Sequence, residues 1–115
     1  MAQPLIHQVI ARARRLIGNE SAWVRYQPAV LADGTPAQVH DPLAARFCAG
    51  GALLRAGFEI TGDIDRAVAL RAAACARLCA GVPHDAALYR LEDINDVTHG
   101  HDAVLWLFDE FLAGA

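Results

Sequence analysis

The first apolar segment of the chain has the spacing of an amphipathic helix. Between Leu5 and Ile17 apolar residues recur every three or four positions, which places them on one side of a helix. Pro4 suits the first turn, and Gly18 followed by Asn19 is a stop signal. This pattern predicts helix one.

The pattern changes between Trp23 and Val39, where β-favouring residues flank an Asp33-Gly34 turn. The prolines and glycines of this stretch disfavour a helix. Pro28 restricts the first predicted strand to an edge or a bulge, because proline cannot donate to a strand ladder. We therefore expect a short β-hairpin or an ordered loop after helix one.

Two further helices are predicted by their capping residues. Asp41 followed by Pro42 has the sequence of an N-cap with proline at the first helical position, which predicts that helix two begins here and continues to about Gly57. Asp63 is the predicted N-cap of helix three, which ends before Gly81-Val82-Pro83. The predicted buried stripe of helix three comprises Ile64, Val68, Ala72, Cys75, Cys79 and Val82.

The C-terminal third predicts a short helical segment from His84 to Tyr89 and a longer last helix. The last helix is expected to begin between Asp96 and Thr98. Its predicted buried side comprises His101, Val104, Leu105, Phe108, Phe111 and Leu112. Trp106 lies on the opposite, acidic side, where a large indole is typical of an interface or of packing under a neighbouring segment.

These elements predict a mainly α, compact single domain over residues 1–115, with four to five helices and the hairpin or loop between helices one and two. The 115 residues, of which 55% are hydrophobic and 20% charged, are enough for one core. No uncharged run approaches the roughly 18 to 20 residues of a membrane helix, and no secretory signal is seen, so a cytoplasmic protein is expected. Its three cysteines are expected to be reduced thiols.

Charge argues against nucleic acid as a partner. Residues 1–60 carry six arginines against four acids, residues 61–115 carry four against nine, and the chain has no lysine. The densest basic group, Arg12, Arg14 and Arg15, points in more than one direction around helix one. The broad basic surface of a nucleic-acid binder is therefore missing.

The stretch "FCAGGAL" places two adjacent glycines inside a helical pattern, although each costs roughly 1 kcal/mol relative to alanine. On a helical wheel Gly50 and Gly51 face inward. Close approach of a neighbouring backbone, or of a ring such as Trp23, explains them best. The chemical alternative makes Cys48 a nucleophile, which requires activation by a histidine from elsewhere because the predicted N-cap lies two turns away.

The segment "INDVTHGHDAV" contains the other candidate side chains. Asn95, Asp96 and Thr98 are good caps for the last helix. His101 begins the buried stripe, and either it is a satisfied structural histidine or, like His99, it serves as the base for Cys48, with Asn95 or Asp96 orienting the ring.

Metal ligation is the third hypothesis for these side chains. His99 and His101, with Asp96 or Cys48, contain suitable ligands, but H-x-H is a weak pattern. Cys75 and Cys79 are expected in the core, because their stripe is otherwise aliphatic. No metal or cofactor is predicted.

Trp23, the Asp33-Gly34 turn, "FCAGGAL", "IND" and "HDAVLWLFD" together resemble a family of small bacterial and phage-borne proteins of unknown function. The resemblance covers roughly residues 5 to 112. It singles out Trp23, Cys48, Gly51, Ala52, Leu53, Asn95, Asp96, His101, Val104 and Phe108. It implies no activity, but it implies that Cys48, Asn95, Asp96 and His101 belong to one spatial cluster.

The function expected from these patterns is a non-enzymatic interaction or accessory module, either a homo-oligomer or a partner-binding protein. A cysteine-dependent enzyme is the alternative, with Cys48 as nucleophile, His101 as base, and Asn95 or Asp96 orienting it. A metal-binding module is the third. Trp106 is the predicted interface residue, and Trp23, Gly50 and Gly51 are predicted to be structural.

Overall fold

The computed structural model describes residues 4–98 and 100–114. The helices of this part are α1 (Leu5–Leu16), α2 (Ala49–Thr61), α3 (Ile64–Leu78), α4 (Ala87–Asp93) and α5 (His101–Gly114). Two strands, β1 (Ala29–Val30) and β2 (Arg46–Phe47), lie between α1 and α2. Turns of 3₁₀ helix cover Glu20–Ala22 and His84–Ala86, and a π-helical segment covers Ile94–Thr98. The predicted mainly helical class, with a β element after helix one, is confirmed.

The strands form one antiparallel pair, in which Ala29 faces Phe47 and Val30 faces Arg46. The Asp33-Gly34 turn is present: Gly34 has a φ of 91°, and its N–H donates to the Leu31 carbonyl. The second strand, however, lies beyond Val39, in the stretch predicted to be helical. The two strands are therefore connected by residues 31–45, a longer loop than a tight turn at Asp33-Gly34 alone would give.

The predicted start of helix two is wrong. Asp41 does not cap a helix: its carboxylate accepts the N–H of Leu43 at 2.8 Å, which makes a local turn. The chain then stays extended through β2, and α2 begins seven residues after Pro42, at Ala49. Cys48 is therefore the N-cap of α2.

Helix three begins as predicted, because the Asp63 carboxylate accepts the N–H groups of Asp65 and Arg66. Its buried face is rotated from the predicted stripe. Ile64 and Val68 are 37% and 44% exposed, whereas small residues and Leu78 fill the buried side. The reason is close packing on α2: a Cβ on Gly57 would lie 3.1 Å from Cα and Cβ of Ala67.

The core is apolar and is shared by all five α-helices and the two strands. Its largest fully buried side chains include Ile10, Leu53, Leu91 and Phe108. Among the described residues, Asn95 is the one fully buried polar side chain. It lies between the loop after α1, the start of α2 and the segment before α5, and this position defines the candidate site.

Candidate functional site

Asn95 uses all of its side-chain hydrogen-bonding capacity inside the fold. Its Oδ1 accepts from Trp23 Nε1 at 2.6 Å and from the backbone N–H of Ala49 at 2.9 Å. Its Nδ2 donates to the Val24 carbonyl at 3.2 Å and to Asp96 Oδ1 at 2.7 Å. An amide has two donors and one oxygen with two lone pairs, so this set is complete.

The local sequence explains why Asn95 points inward. Ile94, Val97 and Thr98 are β-branched and Asn95 and Asp96 are poor helix formers, so an ideal α-turn is weakly favoured across this segment. The chain instead forms the π-helical segment, and Gly100, with a φ of 78°, turns it into α5. Its N–H donates to the Ile94 carbonyl at 3.0 Å.

The last helix consequently begins at His101, later than predicted. The residues that were predicted to cap it have other roles. Asn95 caps α2 from a distance, since it accepts the N–H of Ala49, the first residue of that helix. One of the orphan amides that every helix start presents is thereby satisfied by a residue 46 positions away. Thr98 contributes backbone to the π-helical segment.

Asp96 fixes the loop that leads into β1. Its Oδ1 accepts the backbone N–H of Tyr26 at 2.8 Å, and its carbonyl accepts from the Arg25 guanidinium at 3.2 Å. Tyr26 has a φ of 68°, a left-handed conformation that a bulky residue rarely adopts, and its ring is exposed. The carboxylate helps to hold this strained residue in place.

His101, the first residue of α5, packs against Trp23 and bonds to the end of α1. Its Nε2 lies 2.6 Å from the carbonyl oxygen of Ile17, so this nitrogen carries the proton and donates to the end of α1. The imidazole and indole centroids are 5.3 Å apart. His101 is therefore a partly buried histidine whose Nε2 has a hydrogen-bond partner. It joins α5 directly to the end of α1 and packs on Trp23, in the loop that follows α1.

Cys48 has a capping role. Its Sγ accepts the N–H of Gly51 at 3.2 Å, and its own N–H donates to the Pro28 carbonyl at 3.3 Å. Burial raises the pKa of the Cys48 thiol to about 11, and the nearby charges of Glu92 and Asp96 act in the same direction. The Gly51 N–H lowers it, as a helix N-terminus should, but desolvation is the larger effect.

The two adjacent glycines have different neighbours. A Cβ on Gly51 would clash with the Pro28 carbonyl, whose carbon lies 2.7 Å from that position. A Cβ on Gly50 would meet only the tip of Leu88, at 3.1 Å, and the Glu92 carboxylate, at 3.6 Å. The close approach is therefore made by a backbone carbonyl, and it is Gly51 that admits it.

We call Trp23, Cys48, Asn95, Asp96 and His101 the Asn95 cluster. Asn95 bonds directly to Trp23 and to Asp96, and Trp23 packs on His101. Cys48 lies beside Ala49, which bonds to Asn95, and the charge of Asp96 acts on its thiol. Cys48 Sγ and His101 Nε2 each have a backbone partner of their own.

Residues that the sequence did not single out complete these contacts. They are Pro28, Arg25, Tyr26 and Glu92. Pro28 contributes its backbone carbonyl, and Arg25 makes a cation–π contact of 5.3 Å over Trp23. No local sequence pattern marks either role. Gly100 could have been noticed, because glycine between two helical patterns is typical of a left-handed turn.

The metal hypothesis names His99 and His101, with Asp96 or Cys48, as ligands. Within the residues that the structure describes, no three of the histidine, cysteine, aspartate and glutamate side chains gather where they could hold an ion. His99 lies outside those residues. Cys75 and Cys79 are buried free thiols in the core, and burial raises the pKa of Cys75 to about 12.

Trp106 lies away from the Asn95 cluster, on the outer face of α5. Its side chain is 61% exposed, as expected for the side opposite Val104 and Phe108. Asp102, Asp109 and Glu110 flank it on the same helix, and α5 carries no arginine. Asp109 is paired with Arg14 of α1 at 2.8 Å, whereas the indole itself is open to solvent.

The fold and the cluster define a small helical domain in which one buried asparagine joins three segments of the chain. This chain belongs to DUF6197, a family of unknown function, whose model matches residues 1–113. Neither the curated proteins nor the solved structures contain a match. In the described residues, no helix is both long enough and apolar enough to cross a membrane.

Proposed function

We propose that the protein is a non-enzymatic interaction module that associates through the outer face of α5. The observation that supports this most directly is the 61% exposure of Trp106 in a domain whose other tryptophan is hydrogen-bonded and partly buried. Tryptophan is enriched at protein interfaces because it contributes a large apolar area together with one N–H donor.

The charge around Trp106 determines which surface can cover it. A symmetric contact between two α5 faces would oppose Asp102 and Glu110 to their own copies, and like charges in an interface are unfavourable. Exposed arginines of the N-terminal half are complementary to the α5 face, since Arg15 and Arg46 make no ion pair with another described residue. The partner we propose is therefore a second copy, in a head-to-tail contact between its N-terminal half and α5.

The cysteine-enzyme hypothesis has less support than the interaction hypothesis. A nucleophilic cysteine needs an accessible thiolate and a nearby base. Cys48 is 6% exposed, its thiol is a helix cap with a raised pKa, and the described hydrogen bond of His101 Nε2 goes to a backbone carbonyl. The hydrogen bonds of Asn95 are likewise all internal.

Sedimentation velocity over a range of protein concentrations tests the proposal. We expect the wild type to associate, the association to weaken as salt is raised, and the Trp106→Ala variant to sediment as a monomer. Tyr89→Ala is the matched control, because Tyr89 is a 75% exposed aromatic side chain on α4, outside α5 and outside the N-terminal half. A wild type that stays monomeric, or equal effects of the two substitutions, would overturn the proposal.

A further inference from the structure

A groove between α3 and α4 contains charged groups that the Asn95 cluster does not use. Val68, Arg71 and Ala72 line it from α3, and Leu88, Tyr89 and Glu92 line it from α4. The exposed residues His84 and Asp85 complete its lining. Its volume is about 590 Å³, within the range of about 300 to 1,000 Å³ that is usual for small-molecule sites.

Two half-buried groups of opposite charge line this groove without an ion pair, and Asp85, the third charged residue of the lining, is exposed. Arg71 and Glu92 are both half-buried, and they interact electrostatically, but neither makes a hydrogen bond or ion pair with another described residue. Arg55 and Arg90, by contrast, each form an ion pair with a carboxylate on their own helix. A half-buried charge without a partner is unfavourable, so each of these groups is suited to receive one.

The Glu92 carboxylate is held where solvation is reduced. Burial raises its pKa, the nearby Asp96 charge adds to that effect, and Arg71 opposes it. Its Oε1 lies near the start of α2, 3.6 Å from where a Cβ on Gly50 would be, which is an ordinary van der Waals distance. A cation bound beside Glu92 would therefore offset the unfavourable energy of its partly desolvated charge and its repulsion by Asp96.

Much of the remaining lining of the groove is apolar. Val68 is 44% exposed, and it shares the groove with Ala72, Leu88 and the exposed ring of Tyr89. Exposed valine and tyrosine side chains along one groove give an apolar ligand a surface to cover. A ligand that fits must therefore present an ammonium group, a carboxylate and a hydrocarbon group together.

We propose that the α3/α4 groove binds a free α-amino acid with an apolar side chain, with its ammonium group at Glu92, its carboxylate at Arg71 and its hydrocarbon over Val68 and Leu88. An α-amino acid carries both charges on one small molecule, so one ligand satisfies both unpaired groups. Arginine suits the carboxylate end because its guanidinium offers parallel N–H donors to two oxygens.

Binding of L-leucine and two blocked analogues tests the proposal by isothermal titration calorimetry. Leucinamide lacks the carboxylate, and N-acetyl-L-leucine lacks the ammonium group. We expect each analogue to bind about tenfold more weakly than leucine, the factor that corresponds to one charged hydrogen bond. Leucine that gives no heat and no thermal stabilisation at about 10 mM, tenfold above a millimolar Kd, would overturn the proposal.

Two variants assign the ends of the ligand. Arg71→Gln should weaken leucine binding and abolish the preference for leucine over leucinamide, whereas Glu92→Gln should abolish the preference over N-acetyl-L-leucine. Arg66→Gln on α3 and Glu110→Gln on α5 are the matched controls, because both residues are exposed and lie outside the groove. Arg71→Met and Glu92→Met, which also remove the charge, replace any glutamine variant that lacks the wild-type circular dichroism spectrum. Discrimination that is unchanged in the folded groove variants, or lost equally in the controls, would refute the assignment.

Discussion

The carbonyl group of Pro28 occupies the space in which a Cβ on Gly51 would lie. This carbonyl also accepts the N–H of Cys48, so the missing side chain and the capped helix start belong to one contact. The cost of glycine in a helix is thereby explained by a backbone hydrogen bond that no other residue at this position would permit.

Gly51→Ala should destabilise the protein by at least about 2 kcal/mol, because the added methyl group meets a backbone carbonyl that cannot turn aside. Gly50→Ala is the matched control and should stay within about 1 kcal/mol of the wild type, since the tip of Leu88 can move and alanine favours the helix. Urea denaturation followed by circular dichroism measures both. Equal effects of the two substitutions would contradict the role given to Pro28.

Asn95→Ala should lower the free energy of unfolding by about 2 to 4 kcal/mol, because it leaves the Trp23 indole N–H and the Ala49 N–H without an acceptor in a buried site. Asn95→Asp keeps the shape but removes the Nδ2 donor and places a carboxylate against Asp96, so it should be destabilising as well. Thermal and urea denaturation provide the measurement.

Asn19→Ala is the control for these variants, since Asn19 is exposed and its side chain makes no capping hydrogen bond. It should change stability by less than about 0.5 kcal/mol. If Asn95→Ala were as mild as this control, the hydrogen bonds of Asn95 would not be what holds the cluster together.

Cys48 should resist alkylation in the native protein from pH 6 to pH 9, because its buried thiol has a raised pKa and the thiolate is the reactive form. Peptide mapping by mass spectrometry after iodoacetamide treatment distinguishes it from Cys75 and Cys79. All three should react readily in urea. Selective labelling of native Cys48 well below pH ~8.5, the ordinary thiol value, would instead support the cysteine-enzyme hypothesis.

The same thiol makes stability depend on alkaline pH. Because burial raises the pKa of Cys48 to about 11, the unfolded chain loses this proton first, so stability is fully present below the ordinary thiol pKa of about 8.5 and falls as pH rises towards 11. Cys48→Ser removes the titration but keeps an N-cap side chain. Its stability should fall less steeply over this range in urea titrations, and identical slopes would be inconsistent with a buried Cys48 thiol.

The sequence predicted the helices whose signals are local. The apolar spacing of α1 and the Asp63 cap of α3 depend on residues within a few positions of each other, and both predictions are confirmed. The rotation of the buried face of α3 was missed. It depends on the contact between Gly57 and Ala67, which is set by how α2 and α3 pack and cannot be deduced from the apolar spacing of one helix.

The start of α2 was missed for a different reason. An aspartate carboxylate that accepts the N–H two residues later is common to a helix N-cap and to an isolated turn, so Asp41-Pro42 gives the same local signal in both. What separates them is the pairing of Arg46 and Phe47 with Val30 and Ala29, some 17 residues away. The sequence singled out the members of the Asn95 cluster, but the backbone groups that satisfy them come from such distant segments.

The distance along the chain between Ala49 and Asn95 also constrains the order of assembly. During synthesis all residues of α2 leave the ribosome well before Asn95 does. The N–H of Ala49 therefore lacks its side-chain acceptor until the later part of the chain has been made. We therefore expect the α2 start to remain frayed in nascent chains until the C-terminal third emerges, and to lock in a late, high-contact-order step.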